Sequence, residues 1–469
     1  MSRCHLLGAA SAVALACLST SAFAQESTNA ITGGGSTLAE FDYFQEFAIF
    51  NAAQASGAAT FNNGPTATTT DQSLYWASGS TAGQGGFLAD QLTCDSTKVL
   101  AGSESCGTVV GGANSVDYGA SDAVLSAASI SAWSTSAVGQ SLSGNLIQLP
   151  SMGVGIAIPV VNTLVTTNGG ITLTDSDLCG IFSGKITNWN QTSAYGTGKS
   201  AGKTLAAGAI TVVYRSDGSG TSFLLLNHFS SACTTTNSNF KFPISPSTSF
   251  ASVFSTVPSN FVGESGSQGV AGELSGLNGA VTSAIGYISP DFTDLYYSTT
   301  NAVLSNGAKS KLYVAAVKAT GSSKAFTPTL ANVTTGLNLV TKVNTTLGGP
   351  TTPPATAAAG ANPQNWVPLP ITVSTGYPIV GYTTFDVAQC YASPSIAAGI
   401  INFLKNHYAS TTSYATQMAN NGFVTIAKSG AKVFPAAILD RILGNVGGPK
   451  LAWNININNP ITCKGKTGR

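Results

Sequence analysis

The sequence predicts an α/β protein built on a parallel β-sheet. Short apolar runs rich in β-branched residues alternate along the chain with segments that carry helix-start signals and apolar residues at helical spacing. Hydrophobic residues make up 43% of the 469 residues, which is close to the ordinary share and enough to bury a full core. The length is sufficient for two or three domains.

Four apolar runs are predicted strands because they are short and rich in β-branched residues. Pro150 and Pro159 interrupt the first run, which we therefore expect to form a strand, a kink and a second strand. The runs are residues 146–161, 210–214, 284–289 and 311–317.

Two helices have recognisable starts. Thr174 and Asp177 have the spacing of a capping box, and Gly184 should stop the short helix that follows. Ser393 is a suitable N-cap, and Pro394 then occupies the first helical position. The apolar residues that follow at helical spacing are Ile396, Ile400, Phe403 and Leu404.

The chain carries few charges. Its 20 Lys or Arg and 19 Asp or Glu amount to 8% of the residues, against roughly 25% in an ordinary soluble protein. A net charge of +1 provides no positive field for nucleic acid or an anionic membrane. A coiled coil with charged residues along its helices is also excluded, because charged residues are too few. The surface must therefore consist largely of small and uncharged polar residues.

Residues 1–24 have the pattern of a secretory signal peptide. A short positive start precedes an apolar stretch, residues 6–18, and an A-x-A cleavage site that ends at Ala24. A lipoprotein signal at Cys17 is the alternative, although Ala14 fits its consensus poorly. No later apolar run approaches the ~18 residues of a membrane helix, so we expect a soluble, exported protein cleaved after Ala24.

Six cysteines remain after that cleavage. An even number in an exported chain implies disulfides, with fifteen possible pairings, of which pairing neighbours is the simplest. A metal site is the alternative, but C-x-x-C is absent and the mature chain has only His228 and His407, so we expect no metal. The neighbouring pairs are Cys94–Cys106, Cys179–Cys233 and Cys390–Cys463.

Arginine is rare, and Arg215 is the only one between the signal peptide and Arg441. It ends a predicted strand and begins the turn R-S-D-G-S-G-T, which leads into an apolar run that looks helical. A guanidinium fork beside a helix N-terminus suits a tetrahedral oxyanion, and Asp217 could orient the fork. A surface turn with an Arg–Asp pair is the alternative. The further donors in this turn are Ser219, Gly220 and Thr221.

Three other Gly- and Ser-rich segments are candidates. G-G-G-S-T-L, residues 33–38, lets the backbone approach a ligand, and Thr37 with Glu40 could start a helix as a capping box. A flexible linker is the alternative for this segment. Residues 75–87 contain a Gly/Ser turn, and Asp122 follows a strand-like run; either could be an ordinary turn.

Taken in order, these motifs resemble the PstS-type phosphate-binding proteins of bacterial ABC transporters, and most closely their DING subgroup. G-G-G-S-T-L resembles the opening of that family, and Y-R-S-D-G-S-G-T one of its signature segments. The matches run from about residue 31 to residue 408. Other ordered matches are residues 75–87, 118–122, 178–189, 269–272, 284–287 and 377–382.

The resemblance implies a two-lobed, type II periplasmic-binding-protein fold with discontinuous lobes, hinge strands and the ligand in the cleft. Residues 25–150 with 383–469 would form lobe I, and residues 151–382 lobe II. Asp122 would accept a hydrogen bond from the proton that phosphate keeps and repel sulfate, which has none. The implied phosphate ligands are Thr37, Leu38 by its backbone, Ser80, Asp122, Arg215, Ser219, Gly220 and Thr221, with Asp217 behind Arg215.

The function expected from the resemblance is high-affinity binding of inorganic phosphate by an exported, periplasmic monomer that feeds the ABC permease subunits of the inner membrane. No cofactor and no catalytic residue are expected. One alternative is a secreted phosphoesterase with Ser219 or Thr221 as nucleophile. Its base would be His228, which a helix would place on the face opposite Ser219. The other alternative is a surface adhesion protein.

Overall fold

The computed structural model describes residues 31–54, 73–90, 116–162, 170–197, 202–276, 282–296, 312–373, 375–409, 413–444 and 452–469. The predicted signal peptide and the predicted pair Cys94–Cys106 lie outside these ranges. No helix in the described part of the chain combines the length and the apolar character needed to cross a bilayer.

Short strands form several sheets in the described part of the chain. They are β1 (Thr32–Gly35), β2 (Leu74–Trp76), β3 (Tyr118–Ser121), β4 (Leu146–Gly155), β5 (Val160–Val161), β6 (Ile171–Thr174), β7 (Tyr195–Gly196), β8 (Thr211–Arg215), β9 (Phe261–Glu264), β10 (Ala284–Gly286), β11 (Ala316–Lys318), β12 (Val340–Val343), β13 (Pro370–Val373), β14 (Val380–Ala388) and β15 (Val424–Thr425).

Helices lie between most of these strands. They are α1 (Glu40–Gln54), α2 (Ser80–Ala89), α3 (Ala127–Thr135), α4 (Gln140–Ser143), α5 (Asp175–Phe182), α6 (Gly220–Ala232), α7 (Gly266–Leu274), α8 (Leu330–Asn338), α9 (Ala357–Gly360), α10 (Pro394–Tyr408), α11 (Ser413–Asn420) and α12 (Phe434–Arg441).

Two sheets organise the fold. The first has six strands in the order β15-β4-β14-β3-β1-β2, and the second has four in the order β5-β10-β8-β9. In the first sheet β1 runs parallel to β2 and β3, whereas β14 runs antiparallel to β3 and β4. In the second sheet β8 runs parallel to β9 and β10. The α/β class is therefore confirmed, but both sheets are mixed rather than parallel, since β5 runs antiparallel to β10 in the second one.

The chain leaves the first sheet after β4 and enters the second at β5, and it returns to the first sheet with β14. These two long strands pair with each other along residues 146–155 and 380–388, and every residue in them is buried. The predicted break at Pro150 is wrong. Pro150 lies inside β4 opposite Thr384, next to a register shift, and a proline is tolerated at such an irregularity.

The helix starts predicted at Thr174 and Ser393 are confirmed. Thr174 caps α5 in a reciprocal capping box with Asp177, and Ser393 caps α10, whose first residue is Pro394. The predicted strand at 210–214 is β8. The predicted strands at 284–289 and 311–317 are shorter than expected, since only β10 and β11 form and Val314 makes an isolated bridge to Pro159.

An aromatic core holds α1 and α10 against the first sheet. Phe47 of α1 stacks on Phe403 of α10, with ring centroids 4.3 Å apart, and Tyr43 packs against Tyr75 of β2 at 4.9 Å. Two of the predicted disulfides are present: Cys179–Cys233 joins α5 to the end of α6, and Cys390–Cys463 ties the chain after β14 to the last described segment. These contacts fix the strand ends from which the candidate site is built.

Candidate functional site

The glycines of residues 33–35 form a buried strand between β2 and β3, so the interpretation as a flexible linker is wrong. Gly35 has a φ of 145°, and a Cβ on it would stand 1.9 Å from the Ala120 carbonyl oxygen. Only glycine fits this combination of conformation and close approach. The carboxyl ends of β1, β2 and β3 therefore meet at one edge of the sheet.

Asp122 follows β3 at that edge and is 2% exposed. Its Oδ1 accepts a hydrogen bond from Ser36 Oγ at 2.6 Å, and its Oδ2 accepts one from Ser80 Oγ at 3.2 Å. Burial raises the pKa of this carboxyl to about 6, against the opposing effects of the Ser36 bond, the Arg215 charge and the Ser80 bond. Asp122 is therefore ionised at neutral pH although it is buried.

Arg215 ends β8 and is also 2% exposed, although Ser216 in the turn that follows is exposed. Its guanidinium forms a fork on Asp217, with Nε donating to Oδ1 at 2.7 Å and Nη2 to Oδ2 at 2.5 Å. Burial lowers the pKa of Arg215, but the Asp217 charge and hydrogen bonds more than reverse this and the pKa is raised. The remaining nitrogen, Nη1, donates to Thr221 Oγ1 at 3.3 Å.

Helix α6 begins directly after this turn. Ser219 is its N-cap, and the Ser219 hydroxyl oxygen accepts from the Ser222 amide at 3.2 Å. A hydroxyl that accepts a cap bond keeps its own hydrogen for another acceptor. Gly220 and Thr221 are the first helical residues, whose N–H groups have no acceptor within a helix. Helix α2 likewise begins at Ser80, so two helix N-termini reach this region.

The start of α6 and the edge of the first sheet lie in direct contact. A Cβ on Gly220 would stand 2.5 Å from both Asp122 Oδ2 and Ser80 Oγ, so α6 touches the edge of the first sheet. Nearby, the Thr81 amide donates to the Gly218 carbonyl at 3.0 Å, and its hydroxyl donates to Thr248 Oγ1 at 2.8 Å. The structure thus brings Ser80 and Asp122 to Arg215, Ser219, Gly220 and Thr221.

Thr37 and Leu38 lie in the bend between β1 and α1. The predicted helix start at Thr37 is wrong, because α1 begins at Glu40 and Glu40 Oε1 instead accepts from Gln268 Nε2 at 3.3 Å. Thr37 Oγ1 accepts from the Ser267 amide at 3.2 Å. The Leu38 amide, expected to face the ligand, donates to Ser36 Oγ at 3.1 Å.

Sequence reasoning missed Ser36 and Ser267. Ser267 lies at the start of α7 and accepts from Arg215 Nη1 at 3.5 Å, in addition to its contact with Thr37. Its signal was available, since it stands two residues before the G-V-A-G match at 269–272. Ser36 stands inside G-G-G-S-T-L, but nothing in that motif indicates that its hydroxyl contacts Asp122.

The site has no excess of positive charge. Arg215 is matched by Asp217, and Asp122 adds a further negative charge when it is ionised. An anion at this place would therefore be held mainly by neutral N–H and O–H groups. In a closed, dry cleft such dipoles are worth more than in water.

Two buried carboxyl groups, Glu40 and Asp291, interact beside Arg215. Burial and, to a smaller extent, the Asp291 charge raise the pKa of Glu40 to about 8, against the opposing effects of the Gln268 hydrogen bond and the Arg215 charge. Burial also raises the pKa of Asp291 to about 8. Both groups thus bind protons more tightly in the folded chain than in the unfolded one.

We expect the free energy of unfolding to fall as pH rises from about 6.5 to about 8. In this pH range the folded chain keeps protons on Glu40 and Asp291 that the unfolded chain has lost, and proton binding by the folded state favours folding. This contribution to the free energy of unfolding disappears as pH rises through the pKa values of the two carboxyls in the folded chain. The pKa of His407, lowered by burial to about 4, has the opposite effect, but only below pH 6.5. Denaturant unfolding at pH 6.5 and pH 8.5 measures the change.

Glu40→Gln and Asp291→Asn provide the control for this dependence. Each should flatten the decline by up to about 1.4 kcal/mol per pH unit, because a neutral amide releases no proton. A wild-type stability that rises over this interval, or variants that keep the full wild-type slope, would show that these carboxyls do not carry the effect.

His228 does not face the hydroxyls of the site. Its Nε2 lies 3.0 Å from Asp175 Oδ1, in a buried pair between α6 and α5. Among the described residues, no group of three or more His, Cys, Asp or Glu side chains could hold a metal ion.

Comparison with known proteins identifies relatives along most of the chain. The model of the PBP superfamily domain matches residues 46–360. Alkaline phosphatase L of Pseudomonas aeruginosa strain PAO1 is 30% identical over 414 residues, which is 88% of this chain and 89% of that protein.

Solved structures agree over nearly the whole length. A phosphate binding protein from Stenotrophomonas maltophilia has a TM-score of 0.65 and 28% identity, covering 94% of this chain and 99% of that one. PfluDING, a high-affinity periplasmic phosphate-binding protein solved with phosphate bound, has a TM-score of 0.65 and 27% identity with the same coverage.

Proposed function

The chain belongs to the PBP superfamily and is related to the PstS-type phosphate-binding proteins and their DING group, and from this premise we propose that it binds inorganic phosphate tightly in the closed cleft. One observation carries the proposal. A buried guanidinium and two helix N-termini meet a buried carboxylate there. The arginine ends a strand of the second sheet, and the carboxylate follows a strand of the first. This combination suits a tetrahedral oxyanion that keeps a proton.

The proposed contacts divide into donors and one acceptor. Donors surround the anion, and Asp122 Oδ2 accepts the hydrogen bond of its proton. The Leu38 amide takes part only if it exchanges its present acceptor, Ser36 Oγ, for the anion. The proposed donors are Thr37, Leu38, Ser80, Arg215, Ser219, Gly220 and Thr221.

A carboxylate in a site for an anion provides selectivity. Phosphate at neutral pH has at least one proton to donate to Asp122, whereas sulfate has none and would place two negative oxygens in contact. Burial strengthens this repulsion, because a charge without a partner is costly away from water. The proposal therefore includes strong preference for phosphate over sulfate.

We place the lobes on either side of this cleft. Residues 25–150 with 383–469 form lobe I and residues 151–382 form lobe II, joined where β4 and β14 leave the first sheet. Disulfides fit an exported protein. The proposed role is that of a monomer, exported and cleaved after Ala24, that delivers phosphate to the ABC permease subunits of the inner membrane.

Phosphomonoesterase activity is a second candidate function, because one relative is named Alkaline phosphatase L. A hydroxyl nucleophile needs an adjacent base, and His228 contacts Asp175 rather than Ser219. Steady turnover of a chromogenic phosphoester by the purified protein, lost in Asp122→Ala or Ser219→Ala, would favour this function over binding alone.

Thermal unfolding with added ligand tests the proposed function. Phosphate in large excess over Kd should raise the melting temperature by several degrees, since a thousandfold excess adds about 4 kcal/mol to folding stability. Sulfate at the same ionic strength is the control and should have little effect. No shift at millimolar phosphate would contradict the proposal and would favour a surface adhesion protein.

A further inference from the structure

Ser36 is fixed at four points in the core of the first sheet. Its amide donates to the Ala120 carbonyl at 3.0 Å, and its carbonyl accepts from the Tyr75 hydroxyl at 2.6 Å. Its Oγ accepts from the Leu38 amide at 3.1 Å and donates to Asp122 Oδ1 at 2.6 Å. The side chain is fully buried, so water does not compete for these bonds.

The two oxygens of Asp122 therefore have different surroundings. Oδ1 faces Ser36, within the first sheet. Oδ2 faces the start of α6. It lies 3.2 Å from Ser80 Oγ, and it would lie 2.5 Å from a Cβ on Gly220. Only Oδ2 points toward the start of α6, which belongs to the opposite side of the cleft.

We infer that Ser36 is a positioning residue that turns Asp122 toward the bound anion, by saturating Oδ1 and leaving Oδ2 to accept the anion's proton. The inference rests on the proposed phosphate-binding function. Ser36 also accepts from the Leu38 amide, so one hydroxyl joins two of the proposed ligand contacts. A change at either contact reaches the other through this oxygen.

Electrostatics add a second consequence of the same bond. Burial raises the pKa of Asp122 to about 6, and the Ser36 bond heads the effects that oppose it. The other groups that face Asp122 are the Arg215 charge, the Ser80 hydroxyl and the buried phenols of Tyr43 and Tyr75. Without the Ser36 hydroxyl, a buried oxygen loses its donor, and the proton on Asp122 becomes harder to remove.

Ser36→Ala tests the inference through the pH profile of phosphate binding. In the wild type, phosphate affinity should fall as pH drops through about 6, because Asp122 then becomes protonated. A protonated Asp122 can no longer accept the anion's hydrogen bond as a carboxylate, and the contact would hold two protons where one fits. In Ser36→Ala the midpoint should rise by about one to two pH units, which is the effect of one hydrogen bond to a charged group. Phosphate affinity should then be about tenfold weaker than wild type at pH 6.5 and within about twofold at pH 8.5.

Ser121→Ala is the matched control. Ser121 is equally buried and precedes Asp122, but its Oγ accepts from the Ala123 amide at 3.0 Å. Its loss should lower the melting temperature without moving the pH midpoint. Calorimetric titration with inorganic phosphate from pH 5 to pH 9 on the three proteins separates the outcomes.

An unchanged midpoint in Ser36→Ala, or an equal shift in Ser121→Ala, would overturn the positioning role while phosphate binding by the wild type still stood. A wild type that binds no phosphate at any pH would overturn the proposed function and, with it, this inference.

Discussion

Arg215→Ala should abolish phosphate binding, with a loss of affinity of about a thousandfold or more. The guanidinium is the buried positive group of the site, and Asp217 fixes its orientation by accepting hydrogen bonds from Nε and Nη2. Two charge-assisted hydrogen bonds at about 2 kcal/mol each account for a loss of this size. Calorimetric titration of the variant with phosphate measures it.

Stability must be separated from binding in this variant, because Asp217 loses its charged partner, at a cost of up to about 3–5 kcal/mol, while it keeps the hydrogen bond from the Gly266 amide at 3.0 Å. Arg441→Ala is the control: this arginine is also buried, stacks on Trp453 and donates to the Pro354 carbonyl. It should lose stability and keep its phosphate affinity. A folded Arg215→Ala protein that binds phosphate like the wild type would remove Arg215 from the site.

Asp122→Asn should reduce the discrimination between phosphate and sulfate by about a hundredfold. The amide has the shape of the carboxylate but no charge, and its NH₂ group can donate to sulfate. Phosphate loses a charge-assisted acceptor while sulfate loses a repulsive contact, so the two affinities converge. The ratio of the dissociation constants for sulfate and phosphate at pH 7.5 is the quantity to measure.

Asp386→Asn controls for the loss of a buried carboxylate in the same sheet. Asp386 lies in β14 and accepts from Gln148 Nε2 at 2.7 Å. Burial raises its pKa to about 7, so it resembles Asp122 in burial and in the direction of its pKa shift. The selectivity of this variant should equal that of the wild type. If both variants lose discrimination equally, or neither does, Asp122 is not the selective group.

Charge scarcity is what made the two main residues predictable. In a chain with 8% charged residues, a lone arginine at the end of an apolar run and an aspartate after another are conspicuous, and the turns around them are local in sequence. The strand before Arg215 and the helix after Ser219 could be inferred for the same reason, since propensity and caps act over a few residues.

Contacts between distant residues could not be predicted in this way. Ser36 and Asp122 are 86 residues apart, and Thr37 and Ser267 are 230 apart. Serine is common along this chain. The position of a serine in the sequence therefore does not distinguish a hydroxyl that orients a buried carboxylate from one on the surface. Such partners depend on which strand ends the sheet order brings together.

Two local sequence predictions were wrong because contacts from distant elements overrode them. Pro150 predicts a break in a strand, but β14 provides a partner with a register shift at that point and the strand continues. Glu40 has the spacing of a capping box with Thr37, but residues of α7 form hydrogen bonds with both side chains instead. The Ser267 amide donates to Thr37, and the Gln268 side chain donates to Glu40. In both places a contact from a remote element outweighed the preference of the local sequence.

The proposed site binds phosphate, and its buried carboxylate excludes sulfate. Calorimetric titration of the wild-type protein at pH 7.5, first with phosphate and then with phosphate in the presence of excess sulfate, tests it most directly. We expect one phosphate per chain, with a dissociation constant that sulfate leaves unchanged. The absence of phosphate binding, or an affinity that weakens in proportion to added sulfate, would contradict it.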